Sequence, residues 1–120
     1  VPHLSETGNV VLVSGAPARR AAPGQVAIGA VGGAVESFAR TVAREIVPKR
    51  LNVVAPGQID TPMVGLEGEE REAFYAKSTA KCLIPRPGTA DEVAQAIVFL
   101  AQNEFVTGTT IDVDGGWLNA

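Results

Sequence analysis

Few side chains in this sequence of 120 residues have the chemistry to move a proton, attack a carbon or hold a metal, and their positions bound what the chain can catalyse. Ser14 closes the apolar run "NVVLV"; such a hydroxyl either faces a site at the strand end or caps the turn that follows. Arg19 and Arg20 offer positive charge near a substrate or form a solvated loop pair. The single tyrosine, Tyr75, sits beside Phe74 with Lys77 close by, so it touches a ligand or packs as half of an aromatic pair. Asp112 and Asp114 alternate with apolar residues, which puts both on one strand face. With no third ligand in view they do not make a metal site. Cys82 is the only cysteine, so neither an internal disulfide nor a four-cysteine zinc site is available, and His3 lies alone near the start.

The elements that must position these groups follow from periodicity. "NVVLVS" (residues 9–14) is continuously apolar and β-branched, as expected of a central strand covered on both faces of a parallel sheet. After the loop "GAPARRAAPG", Val31, Val35, Phe38, Val42 and Ile46 recur at helical spacing, predicting one long amphipathic helix over residues 25–47 that stops before Pro48. Gly29, Gly32 and Gly33 in its first half each cost about 1 kcal/mol against alanine, which predicts close packing there or a frayed first turn. "LNVVAPG" (residues 51–57) reads as a second strand ending in a Pro-Gly turn, and Pro62 in "QIDTPM" marks a loop leaving the sheet. Residues 66–81 hold one or two short helices. "TADEVAQAIVFLAQN" opens with a T-x-x-E capping box, Thr89 to Glu92, and carries Val93, Ile97, Leu100 and Ala101 on one face. "TGTTIDVDGG" supplies a third strand.

Strand, helix, strand, helix, strand is the order of consecutive βαβ units, so the class is α/β with a partial, Rossmann-like parallel sheet of about three strands and three helices in a single domain, residues 1–120. A sheet of three strands leaves the first with an open edge. A net charge of −3 without a basic stripe argues against nucleic acid. No uninterrupted apolar run approaches 18 residues, and the start lacks a signal-peptide layout, so no membrane span is expected and a cytoplasmic setting is. With no initiator methionine, the chain is expected to be a portion of something longer.

Two motifs carry a family likeness: "NVVAPGQIDTPM" (residues 52–63) and "GTTIDVDGG" (residues 108–116). Together they resemble the C-terminal half of the short-chain dehydrogenase/reductase family, over residues 9–117. The resemblance implies NAD or NADP as cofactor, with Pro56, Gly57, the backbone of Ile59 and the side chain of Thr61 at its nicotinamide end. It also implies a catalytic serine and a Tyr-x-x-x-Lys pair. Alignment puts these at Gly15, Ile28 and Gly32, so none is present, and no tyrosine or lysine occurs before Lys49. Ser14, one residue from the serine position, is the remaining catalytic candidate. No Gly-rich dinucleotide motif can be read in the chain. Two functions follow. The first is an atypical NAD(P)-dependent oxidoreductase with weak or absent activity. The second is a non-catalytic binding or assembly protein that self-associates through the helix at 25–47 and the helix-strand edge at 91–113.

Overall fold

The computed structural model describes residues 2–120. Its core is a parallel sheet of three strands, β1 (Asn9–Val13), β2 (Arg50–Pro56) and β5 (Thr110–Val113), in the spatial order β1-β2-β5. Val10 pairs with Leu51 on one side of β2, and Val54 pairs with Ile111 on the other. Between β2 and β5 run a short strand β3 (Ile59–Asp60), helix α2 (Gly68–Thr79), a short strand β4 (Gly88–Thr89) and helix α3 (Ala90–Gln102). Strands β3 and β4 pair in parallel as a separate two-stranded ribbon that the sequence does not signal.

The central strand is β2, buried from Arg50 to Ala55, and not β1 as the apolar run suggested. Strand β1 lies at the sheet edge, partly covered, and its last residue Val13 is 55% exposed. Composition alone did not separate them because both strands are β-branched and apolar. Alternation along β2 splits its side chains between two layers. Leu51 and Val53 join Ala39 and Ala43 of helix α1 (Val26–Glu45) in one core cluster. Arg50 and Asn52 face the other layer, at the end of α3. Arg50 donates to the carbonyls of Leu100 (2.9 Å), Ala101 (2.9 Å) and Val106 (3.2 Å), while Asn52 donates to Val106 O and accepts from Thr109 N–H. A cation on the last carbonyls of α3 satisfies acceptors that the helix itself cannot.

Helix α1 forms as its period predicts, but its buried line runs through Gly32, Glu36, Ala39 and Ala43. Val35, Val42 and Ile46 flank that line, whereas Val31 (64%) and Phe38 (55%) face outward. Small residues win the sheet-facing positions because they let the helix approach. A Cβ on Gly29 would lie 3.1 Å from Pro17 O, and one on Gly32 would lie 3.0 Å from Ala18 Cβ. Contrary to the expectation from uninterrupted runs, α1 is by length and composition apolar enough to cross a membrane, with a mean hydropathy of 1.2. Its packing on the sheet and its buried, ion-paired Glu36 make it instead the core helix of this fold. The capping box is present in full: Thr89 Oγ1 accepts from Glu92 N–H at 3.2 Å, and Glu92 accepts from Thr89 N–H at 2.8 Å.

Candidate functional site

All three sheet strands are parallel, so their carboxyl ends share one edge, the edge where open α/β sheets leave a crevice. A cleft of about 810 Å³ lies there. One wall follows β2 and β3 and contains Pro56, Gly57, Ile59 and Thr61, the four residues singled out in the sequence. The opposite wall follows β1 and the start of α1 and contains Ser14, Gly15 and Ile28. Gly32 borders an adjoining apolar recess of about 310 Å³ with Val13, Ile28 and Val31.

The first wall is fixed from behind. Gly57 N–H donates to Val113 O at 3.0 Å, and a Cβ on Gly57 would fall 2.7 Å from Asp114 Cα. The turn after β2 is therefore pressed against the end of β5, and only glycine fits that approach. Ile59 and Thr61 are held by α2. The Tyr75 hydroxyl donates to Ile59 O at 3.3 Å and accepts from Thr61 N–H at 3.4 Å. Tyr75 is buried, meets Phe74 edge-on and does not line the cleft, so it packs and positions. On the outer side Arg71 pairs with Asp60 and lies over the Tyr75 ring. Helix α2 is one helix, not two.

The second wall is organised by a charge network whose pairings leave no local sequence signature. Glu36, 3% exposed in α1, accepts from Ser14 Oγ at 3.0 Å and from Arg19 Nε at 3.2 Å. Arg19 also grips Asp112 with both terminal nitrogens, and this contact, above all others, holds its guanidinium above the ordinary arginine value. Ser14 lines the cleft, but its proton is directed at Glu36 and away from a ligand. Arg19 and Arg20 are held by partners within the protein and not aimed at a substrate: Arg19, partly exposed, is held by Glu36 and Asp112, and Arg20 donates to Trp117 O and stacks on the Trp117 ring. Asp114 accepts from Gly116 N–H (2.8 Å) and Leu118 N–H (2.9 Å), folding the last turn so that Trp117 reaches the cleft. Asp112 and Asp114 thus serve separate structural contacts.

Sequence reasoning did not single out Glu36, Trp117 or Gln25, whose Oε1 is buried without a partner at the cleft wall. Glu36 had a signal, since it is the only charged residue between 21 and 39. Among the described residues, none that lines the cleft has an ionisable side chain. The positions aligned with the serine, tyrosine and lysine of the resemblance are occupied by a buried glycine, an exposed isoleucine and a glycine packed on Ala18.

Known proteins match this arrangement closely. Residues 1–118 fit the family model described as enoyl-(acyl carrier protein) reductase. The chain is 39% identical to a 3-oxoacyl-(acyl-carrier-protein) reductase of Thermotoga maritima over 124 residues, covering 97% of this chain and 48% of that protein. It is 36% identical to a 3-oxoacyl-(acyl-carrier-protein) reductase of Rattus norvegicus, covering 94% of this chain and 46% of that one. A solved small-chain dehydrogenase in complex with NADPH superposes with a TM-score of 0.92 at 32% identity, over 99% of this chain and 55% of its own. The chain thus spans about half the length of the relatives it matches. Sheet order, the Pro-Gly turn against the last strand and these likenesses agree: the chain belongs to the short-chain dehydrogenase/reductase family of oxidoreductases.

Proposed function

We propose that this chain forms the C-terminal portion of an NAD(P)-dependent oxidoreductase of atypical type, one that holds its ligands but delivers no proton and so has weak or absent turnover. The observation that carries the proposal is the cleft itself. One wall gathers Pro56, Gly57, Ile59 and Thr61, and the other presents Gly15 and Ile28, with Gly32 in the adjoining recess. NADPH in the solved relative supports a nicotinamide cofactor.

The residues present fit the nicotinamide end. A carboxamide is neutral and polar, and the wall that would receive it offers backbone groups and the Thr61 hydroxyl with no charge. Bound there, the cofactor supplies the hydride. The chain's own residues do the rest. Thr61 orients by hydrogen bonding, while Ile28, Val93 and Trp117 keep water out of an apolar space. Ser14 is committed to Glu36. A positioned general acid contributes about 10²- to 10⁴-fold, and that contribution is what Gly15, Ile28 and Gly32 cannot make.

The test is titration of NADPH into the full-length protein carrying this chain, wild type against Thr61→Val, followed by nicotinamide fluorescence. Losing one hydrogen bond of about 1 kcal/mol weakens binding roughly fivefold. No binding by the wild type, or equal binding by both, contradicts the assignment.

Self-association is the second part of the reading, favoured by apolar side chains left outside. Val31 and Phe38 on α1, with Val98, Phe99 and Phe105 at the end of α3, are all 46% exposed or more. Such surface suits contact between copies along 25–47 and 91–113. Phe38→Asp is expected to lower the sedimentation mass of an oligomer.

A further inference from the structure

We infer that the cleft at the carboxyl edge of the sheet selects an uncharged, mainly apolar small molecule and holds it as a ligand without proton exchange with this chain. The inference rests on the cleft being a ligand site, as above, but not on a nicotinamide binding there.

Three observations carry it. First, among the described residues none that lines the cleft is ionisable, although charged side chains lie directly behind both walls. Second, those charges are already engaged within the protein, Arg19 on Glu36 and Asp112, Arg71 on Asp60, and Arg20 on the carbonyl and ring of Trp117. A charged ligand would find no counter-ion on the lining itself and would be stripped of water against apolar walls, which is unfavourable. Third, large apolar groups border the cleft while remaining open to solvent: Ile28 is 57% exposed and Met63 is 93% exposed. An occupant would shield them. The volume, about 810 Å³, lies within the range of small-molecule pockets.

Selectivity follows from what stands at Ile28 and Gly32. A phenol and an ammonium at these positions would polarise the cleft; an isoleucine and a glycine leave an apolar extension of about 310 Å³ beside it. The remaining polar groups, Ser14, Gln25, Thr61 and Ser78 among them, are all neutral. A hydroxyl or carbonyl on the ligand can be matched there and a carboxylate or amine cannot.

The probes are 1-decanol and decanoate, equal in length and different in charge, titrated into the full-length protein. Trp117 is the only tryptophan of this chain and lies on the wall, so its emission reports occupancy when set against a Trp117→Phe control. Decanol is expected to shift that emission saturably and decanoate to bind at least tenfold more weakly. Placing a cation in the cleft with Ile28→Lys, or at the exposed rim with Met63→Lys should α1 not tolerate the first, is expected to narrow or reverse the preference. Decanoate binding as well as decanol, or no saturable response to decanol, overturns the inference. NADPH titration of the same sample separates it from the dinucleotide reading: decanol binding without NADPH binding removes only the latter, and NADPH binding without the decanol preference removes only the former.

Discussion

The two walls of the cleft are built in opposite ways. The wall along β2 and β3 is set by contact: Gly57 is pressed against Asp114, and Tyr75 holds the backbone on either side of Asp60. The wall along β1 and α1 is set by a charge network behind it, in which buried Glu36 and the partly exposed Arg19 and Asp112 link a helix, a loop and β5. On the first wall the residues implied by the family resemblance are present, and on the second they are absent. In the proposed function, holding a ligand and reacting it are therefore assigned to different elements with different supports.

Substitutions at the glycines give the sharpest contrast. Gly57→Ala puts a methyl group 2.7 Å from the Asp114 backbone, which has nowhere to go, and is expected to destabilise by about 3 kcal/mol. The Cβ of Gly15→Ser meets nothing closer than Pro17 Cδ at 3.5 Å, on an extended backbone, and the substitution is expected to cost about 1 kcal/mol or less. Urea denaturation of both variants checks the pair, and equal losses would erase the distinction between the walls.

Arg19→Ala comes next. It leaves Glu36 buried with only Ser14 as partner. Removing one partner of a buried pair costs about 3–5 kcal/mol, and because Arg19 is 36% exposed water offsets part of this, leaving about 2 kcal/mol. Arg19→Ala and Glu36→Leu together should be less destabilising than the sum of the two, a double-mutant cycle that measures the network directly. Tyr75→Phe should cost about 1 kcal/mol and speed amide exchange at Thr61, since both bonds it removes are long.

The smallest effect lies at the first turn of α3, on its exposed side. The Arg86 guanidinium, and then the Thr89 N–H, hold the Glu92 carboxyl at about 2, below its usual 4.5. A depressed acid stabilises the fold above its unfolded value and loses that contribution as pH falls. The difference in melting temperature between wild type and Glu92→Gln should be constant above about pH 5 and vanish between pH 4.5 and 2.

Local features were legible in the sequence and distant pairings were not. The βαβ order, the α1 period, the close approach at its glycines and the Thr89–Glu92 box all follow from neighbours within a few residues. The choice of Pro56, Gly57, Ile59 and Thr61 came instead from the family resemblance of "NVVAPGQIDTPM". The bond from Arg19 to Asp112 spans 93 positions, and that from Tyr75 to Ile59 joins a helix to a strand across a proline loop. Neither leaves a periodic trace. The open edge of β1 followed from the count of three strands, but which strand is central did not, because an apolar strand states that it is covered, but not by what.

The account turns on the claim that only proton delivery is missing from a cleft that otherwise holds its ligands. Gly15→Ser, Ile28→Tyr and Gly32→Lys combined in the full-length protein, with NADPH consumption followed using an uncharged α-diketone, test it most directly. A folded, NADPH-binding triple variant that is at least about 10²-fold faster than the wild type is the predicted result. The same variant turning over no faster than the wild type would contradict it.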